Sequence, residues 1–461
     1  MASETKSEIN VIPPEELGFP LTKEFLELAF DREVESFSTN AGTNPGDNYM
    51  SVMHSIELTF KGEKEANHYL IKCYPNNQGR RAFLDQTNMF SKEYFMYQEF
   101  LPQLKQLAAE NGVEDVVNLA VAPVHGGNIV GKQSKFTKKP WSDENFILMT
   151  DLRKSLGLTM ADRVMGLDLN HAKIVIEEIA KLHALSWAYK QKNGITLLSN
   201  KYPQFTDDSM QNKDDLGKQF KQLMDHISNS SVKMVNEKLG SSHPACKSFK
   251  DFVSTDSTQH MNMFTQKNGI DENEIESHLR IKPEQDKDYN NEPWLVGTHG
   301  DCWVNNMLFL YNDEGPKKPV SVTLVDWQLN REACPTIDLA YFLFSSVRTS
   351  LRIPNLDKLL GIYHDAFVRY CDALQVKPLP GFSFETLKRR YRRAQHYGLL
   401  VSLPILSIVL KPPKDSIDMD TVKSEEVSEL FGSVMKGNDE NALLKHEISA
   451  TVLDMYETGV I

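Results

Sequence analysis

Apolar and polar positions alternate first at Val52, His54, Ile56, Leu58 and Phe60, with Met53, Ser55, Glu57 and Thr59 between them. A period of two puts one set on a single face, which predicts a half-buried strand. Gly62 marks a turn, and residues 68–74 read as the returning strand. Phe83, Phe90, Tyr94, Tyr97 and Leu101 then recur at spacings of three, four and seven, which is the period of a helix. Two more strand-like runs follow at 116–124 and 146–149. Beyond Asp151 the pattern turns helical, with Ile176, Ile179, Leu182 and Leu185 on one face of 169–188. Residues 190–290 are polar and give no pattern. The runs MLFLY (307–311) and SVTLVD (321–326) predict a hairpin around an Asn-Asp-Glu-Gly turn. From 338 onward helix dominates, broken by an acidic segment near 411–426.

The first fifty residues read as a helical opening and a turn that holds Gly42, Pro45, Gly46, Asp47 and Asn48. The strand-rich third precedes a helix-rich remainder. The expectation is therefore an α+β chain with a small antiparallel-sheet lobe over 1–149 and a large helical lobe over 150–461.

Composition narrows the partners. The formal net charge of -12 makes the surface repel phosphate backbones and anionic lipid, so neither nucleic acid nor membrane is expected. Five scattered cysteines with no CxxC argue for a reducing compartment and against a disulfide framework or a zinc site. The apolar stretch 398–410 is too short to span a bilayer and reads as core. With no signal-like N-terminus, the expected location is the cytoplasm. The oligomeric state is left open.

Chemistry concentrates in His299-Gly300-Asp301-Cys302-Trp303-Val304-Asn305-Asn306. The lesser alternative for the segment read alone is a polar turn with a buried histidine. Its spacing resembles the catalytic loop of kinases, in which Asp takes the acceptor proton and Asn binds magnesium. Asp326, in LVDWQ after the hairpin, stands where kinases deliver a second metal carboxylate. Magnesium takes hard oxygen ligands, and Asn306 and Asp326 would supply them. Lys72, in YLIKCY, lies on the second strand, like the lysine that meets nucleotide phosphates. Read alone it is a solvated face position. Its carboxylate partner would come from the next helix, Glu93 in preference to Glu99. The turn GTNPGDNYMS (42–51) could bring backbone N–H groups to phosphates, although it is not a clean GxGxxG.

Together these segments resemble the ecdysteroid kinase-like family, which is similar to choline kinases and aminoglycoside phosphotransferases. The likeness is carried by GDNYMS, YLIKCYP, LMTDL, KLHALSWA, HGDCWVNNMLF, LVDWQ and PTIDLAYFL. It implies a two-lobed protein-kinase-like fold and transfer of a phosphoryl group from ATP, with Mg2+, to a hydroxyl of a small molecule. It implies Asp301, Lys72 and Glu93 as catalytic residues. Gly46, Asn48, Ser51, Lys72, Met149 and Asp151 would bind the nucleotide, and Asn306 and Asp326 the metal. Adenine would meet the backbone of 146–152. Asp338 would steady the catalytic loop, with His183 structural. The family more often has Phe where Trp327 follows Asp326.

An ecdysteroid is the first acceptor implied; choline or ethanolamine and hydroxylated xenobiotics are the alternatives. Tyr341, Phe342, Phe344, Tyr397, Leu400 and Leu403 form an apolar set that is either helix core or acceptor surface, with no obvious basic cluster beside it. A protein kinase is disfavoured because Asp326 and Asp338 leave no room for an activation segment and Trp303 replaces its lysine. A catalytically silent binding protein is disfavoured because Lys72, Asp301, Asn306 and Asp326 are all present.

Overall fold

The computed structural model describes residues 19, 21–43, 50–130, 144–206, 215–254, 279–281, 294–312, 318–411, 432 and 440–461. Gly46, Asn48, most of the hairpin turn after Asn312 and nearly all of the acidic segment fall outside them. The chain forms two compact units. One comprises Met1–Leu84 and Ala122–Leu158 with a short piece near 417–425; the other comprises Asp85–Val121, Thr159–Ser416 and Glu426–Ile461.

The first unit is built on a five-stranded antiparallel sheet of β1 (Val34–Ala41), β2 (Val52–Phe60), β3 (Asn67–Cys73), β4 (Val124–Asn128) and β5 (Phe146–Thr150). Their order is β1-β2-β3-β5-β4. The alternation in β2 sends Ile56, Leu58 and Phe60 into a core with Val34, Ile71, Phe146 and Leu148. The helix Lys23–Phe30 closes it, capped by Thr22, whose hydroxyl accepts from Phe25 N–H at 3.2 Å. Phe25 and Phe19 meet the Phe146 ring edge-on at 5.2 Å between centroids.

Two expectations fail here. The opening is not helical throughout, because VESFSTNA forms strand β1 on β2. Its residues are mostly polar, as an edge strand allows, so it carries no apolar alternation. Nor do 116–123 form a strand; β4 begins only at Val124. In that stretch Ala120 N–H donates to Glu178 Oε1 at 2.9 Å and Asn118 O accepts from Lys181 Nζ at 2.9 Å. Side chains of a helix thus take the place of a neighbouring strand.

The second unit is mainly helical. The helix Leu169–Lys192 is capped by Asp168 and buries Ile176, Ile179, Leu182 and Leu185. The patternless region contains Asp215–Leu239 and Pro244–Ser254, both helices. Short strands carry the loop chemistry. β6 (Thr159–Met160), β8 (Met307–Tyr311) and β9 (Pro319–Leu324) make one sheet, and β7 (Val296–Thr298) pairs with β10 (Arg331–Ala333). The helices Thr336–Ser346 and Phe384–Val409 pack closely. A Cβ on Gly398 would meet the Phe344 ring at 3.0 Å, so only glycine leaves the rings room. No described helix is long and apolar enough to cross a membrane. All five cysteines are buried thiols.

Candidate active site

The HGD loop is shaped by backbone geometry first. Gly300 has φ +82, and a Cβ there would lie 1.9 Å from Leu329 O. Only glycine fits both the left-handed conformation and that approach. The carbonyl of Gly300 accepts from Arg331 Nη2 at 3.3 Å, and Arg331 O in turn accepts from Thr298 Oγ1 at 2.9 Å. Gly300→Ala is expected to cost at least about 2 kcal/mol from the strained φ and the clash. Moving the loop by an ångström should also lower turnover by about 10²-fold. Thermal melts and steady-state rates check both.

A buried carboxylate then fixes the loop backbone. Asp338, in the first turn of Thr336–Ser346, accepts from His299 N–H at 2.8 Å and from Gly300 N–H at 3.0 Å. His183 Nε2 lies 3.1 Å from Asp338 Oδ2 and its Nδ1 lies 2.9 Å from Tyr363 Oη. A carboxylate can only accept, so His183 Nε2 carries the proton and Nδ1 accepts from the phenol. Burial alone would raise the Asp338 carboxyl. The hydrogen bonds from His183 and from the His299 backbone outweigh it and hold the group below its ordinary value. His299 is wired the same way: Nε2 donates to Val325 O at 3.1 Å while Nδ1 accepts from Asp301 N–H at 3.3 Å. Burial lowers its pKa, which keeps the ring neutral.

Asp301 is 7% exposed, and both its oxygens are engaged. Tyr341 Oη donates to Oδ1 at 2.6 Å, and Asn306 Nδ2 donates to Oδ2 at 2.8 Å and to the main-chain carbonyl at 3.0 Å. Burial, and then the charge of Asp326, lift its carboxyl from 3.8 to about 6, against the lowering effect of those donors and Trp303. A half-buried carboxylate, Asp326, thus acts on a buried one.

Asp326 sits two residues beyond β9 rather than within it, at φ 65 and ψ 69. A side chain rarely adopts that left-handed conformation, and it is held where the surroundings over-determine it. Val325 N–H donates to Asn306 O at 3.1 Å, which ties this residue's neighbour to the HGD loop. Trp327 packs its indole on the His299 ring, centroids 4.5 Å apart. The larger ring after Asp326 is therefore accommodated by the loop histidine.

Glu93 is buried on the short helix Met89–Phe95, which runs into a π-turn at Met96–Phe100. Such turns reset the face that a helix presents. Here burial, then the charges of Glu93 and Asp326, push the Tyr97 phenol well up. The helix Met89–Phe95 also packs on the turn Trp327–Leu329 that follows Asp326, which brings Glu93 to this side of the site. Glu99, in the π-turn, is only half-buried. The second unit thus brings together Asp301, Asn306, Asp326 and Glu93.

The first unit holds the rest. Lys72 is 4% exposed, opposite Met53 and Ile147 in the sheet, so it is not a solvated face position. Met149 pairs with Leu70, and Asp151 N–H donates to His68 O at 3.0 Å. Asp151 caps the helix Leu152–Leu156, with Oδ1 accepting from Arg153 N–H at 3.1 Å. Two arginines that the sequence reading did not single out hold the ends of the 42–51 turn. Arg153 donates to Gly42 O, and Arg80 Nη2 donates to Ser51 O at 3.1 Å.

The apolar set of the later helices is core. Phe342, Phe344, Tyr397, Leu400 and Leu403 are buried on Thr336–Ser346 and Phe384–Val409, and Tyr341 reaches Asp301 through its hydroxyl. The expectation of no basic cluster is corrected. Lys388, Arg389, Arg390, Arg392 and Arg393 crowd one helix, but several have structural partners. Arg390 stacks on Trp294 at 4.0 Å, Arg392 donates to Ile281 O and Gly459 O, and Lys388 pairs with Asp357 at 2.8 Å.

An antiparallel-sheet unit and a helix-rich unit carrying this loop make the fold protein-kinase-like, and the chain is a small-molecule phosphotransferase. It belongs to the ecdysteroid kinase-like family, whose model matches residues 45–376. No curated protein matches its sequence. Among solved structures it is similar to a Plasmodium vivax ethanolamine kinase, at 11% identity and TM-score 0.40, over 88% of this chain and 83% of that one. It is also similar to a microcompartment-associated aminopropanol kinase, at 11% identity and TM-score 0.38, over 90% and 95%. A third likeness is to an aminoglycoside phosphotransferase in its GDP complex, at 12% identity and TM-score 0.34, over 85% and 95%.

Proposed function

We propose that the chain transfers the γ-phosphoryl group of ATP, with magnesium, to a hydroxyl of a small neutral ring-containing alcohol, an ecdysteroid first among them. The observation that carries the reading is Asp301, a buried carboxylate with each oxygen held by one donor and its pKa lifted to about 6 beside Asp326. A carboxylate oxygen has two lone-pair directions, so each retains one for an incoming hydroxyl. Asp301 orients that hydroxyl and accepts its proton as the bond to phosphorus forms.

The donor set suits magnesium. The half-buried Asp326 repels the buried Asp301, and a cation relieves that repulsion. The Asn306 amide nitrogen is committed to Asp301, which leaves its carbonyl oxygen to face a cation. Among the described residues no group of three or more His, Cys, Asp or Glu side chains could hold a metal alone. That accords with an ion that takes one or two carboxylates and completes its shell with phosphate and water. Magnesium supplies neutralisation of the phosphate charge when bound. Lys72 is assigned to the same phosphates from its buried place in β3. The backbone of β5 and the following turn, Met149 and Asp151 included, is assigned to adenine. The choice of a neutral acceptor rests on the family and on the structural commitments of Lys388, Arg390 and Arg392.

The test is ADP release with Mg-ATP and 20-hydroxyecdysone, choline, ethanolamine, kanamycin or a phenolic glucoside, with mass spectrometry for the added phosphate. The ecdysteroid or the glucoside is expected to show the highest kcat/KM. Choline or kanamycin ahead by about tenfold or more, the worth of one apolar group in a pocket, would overturn the acceptor class. No turnover with any acceptor or with water would overturn the kinase reading.

A further inference from the structure

We propose that Tyr341 is a positioning residue for Asp301, its phenol fixing the plane of the carboxylate that receives the acceptor proton. The proposal rests on the reading of Asp301 as the base. Four observations lead to it.

The torsion that rotates a carboxylate about its Cβ–Cγ bond is soft and broad, so an aspartate held only by its backbone sweeps its oxygens through many directions. Here the two oxygens carry separate donors, Tyr341 Oη at 2.6 Å on Oδ1 and Asn306 Nδ2 at 2.8 Å on Oδ2. Two donors from different elements leave the plane no freedom. Asn306 lies in the loop itself, so among the described residues only Tyr341 ties the carboxylate to an outside frame.

That frame is the helix Thr336–Ser346, which holds the loop twice. Asp338 takes the backbone N–H groups of His299 and Gly300, and Tyr341, one turn later, takes the side chain of Asp301. Positions three apart lie on the same face of a helix, so main chain and carboxylate are registered to one rigid surface.

The hydroxyl has no packing purpose. Its neighbours along the helix are Phe342 and Phe344, and a phenylalanine would fill the same space. A buried phenol costs free energy unless it finds a partner, and the partner here is charged. Burial, and then the Asp301 charge, push the phenol well up, so it stays a donor.

Tyr341 is distinct from the apolar residues around it. Tyr397, Leu400 and Leu403 meet the helix as packing, whereas Tyr341 reaches the loop. Its role is therefore in the rate of transfer and not in nucleotide affinity.

The experiment is a double-mutant cycle with Mg-ATP, read as ADP release with water as acceptor and then with the best alcohol of the panel above. Tyr341→Phe keeps the ring and is expected to stay folded, melting a few degrees below wild type because Asp301 Oδ1 loses its donor. It should lower kcat by about 10–100-fold, the worth of one hydrogen bond to a charged group, with KM for ATP held within about twofold. In the Asp301→Ala background the same change should alter kcat by less than about twofold, because no carboxylate is left to orient. Equal losses in both backgrounds would make Tyr341 a structural residue and overturn the proposal. So would a Tyr341→Phe rate equal to wild type, or a loss confined to KM for ATP. Wild-type turnover in Asp301→Ala would instead remove the base reading, and the proposal with it.

Discussion

Asp301→Asn is expected to leave ATP affinity within a few fold and to lower kcat by about 10²–10⁴-fold, the usual worth of a general base. In the proposed reading the carboxylate meets the acceptor hydroxyl and not the nucleotide, so loss should appear in the transfer step. The same substitution should make the ligand-free protein more stable. Burial and the charge of Asp326 raise the folded-state pKa from 3.8 to about 6. An acid with a raised folded pKa destabilises the fold when ionised. That penalty is full above about pH 6, is relieved as pH falls through it, and is gone below the unfolded value near 4. Its size is on the order of 2–3 kcal/mol. Asn removes the charge but turns an amide toward Asn306 Nδ2, so part of the gain is lost. Urea titrations at about pH 8 should show the variant ahead by roughly 1–2 kcal/mol, with the gap closing by about pH 5. A variant less stable than wild type at both pH values would contradict the charge-repulsion account, and near-normal kcat would remove Asp301 from its role.

Asp338→Ala is expected to be the most damaging single change to the fold of the site. It strands two buried N–H groups, of His299 and Gly300, and leaves His183 Nε2–H without its acceptor. Each unsatisfied buried donor costs about 1–3 kcal/mol, and breaking a buried charged contact costs about 3–5 kcal/mol. The loop then loses the geometry that places Asp301, so activity should fall with stability. Asp338→Asn should recover little, since its amide puts a donor against donors. Thermal melting and steady-state kinetics on both variants check this. An Asp338→Ala protein with wild-type melting would show that the loop is held by something else.

The site was legible in the sequence because its parts have fixed spacing. His299, Gly300, Asp301, Asn306 and Asp326 lie within one loop and one hairpin, and chain connectivity alone brings them together. Lys72 was legible because a strand pattern surrounds it. β1 was not, since VESFSTNA is polar on an edge and shows no alternation. The 116–124 run misled because Val117, Leu119 and Ala122 are buried there without strand pairing. The helices in 215–254 were obscured by many polar residues on their outer faces. Tyr341 was legible only in hindsight. It stands among apolar neighbours and reads as core, and the one signal was its place three residues after Asp338.

The wiring of Asp338 also orders events during folding. It joins His183, which is 155 residues away in the chain, to His299, which is 39 away. Closing the longer of these loops costs more chain entropy, and contacts of high sequence separation form late. The loop is therefore expected to reach its final shape only when the helix Leu169–Lys192 has met Thr336–Ser346. In refolding, helical content should return before competence for phosphoryl transfer, which stopped-flow circular dichroism and activity regain would compare.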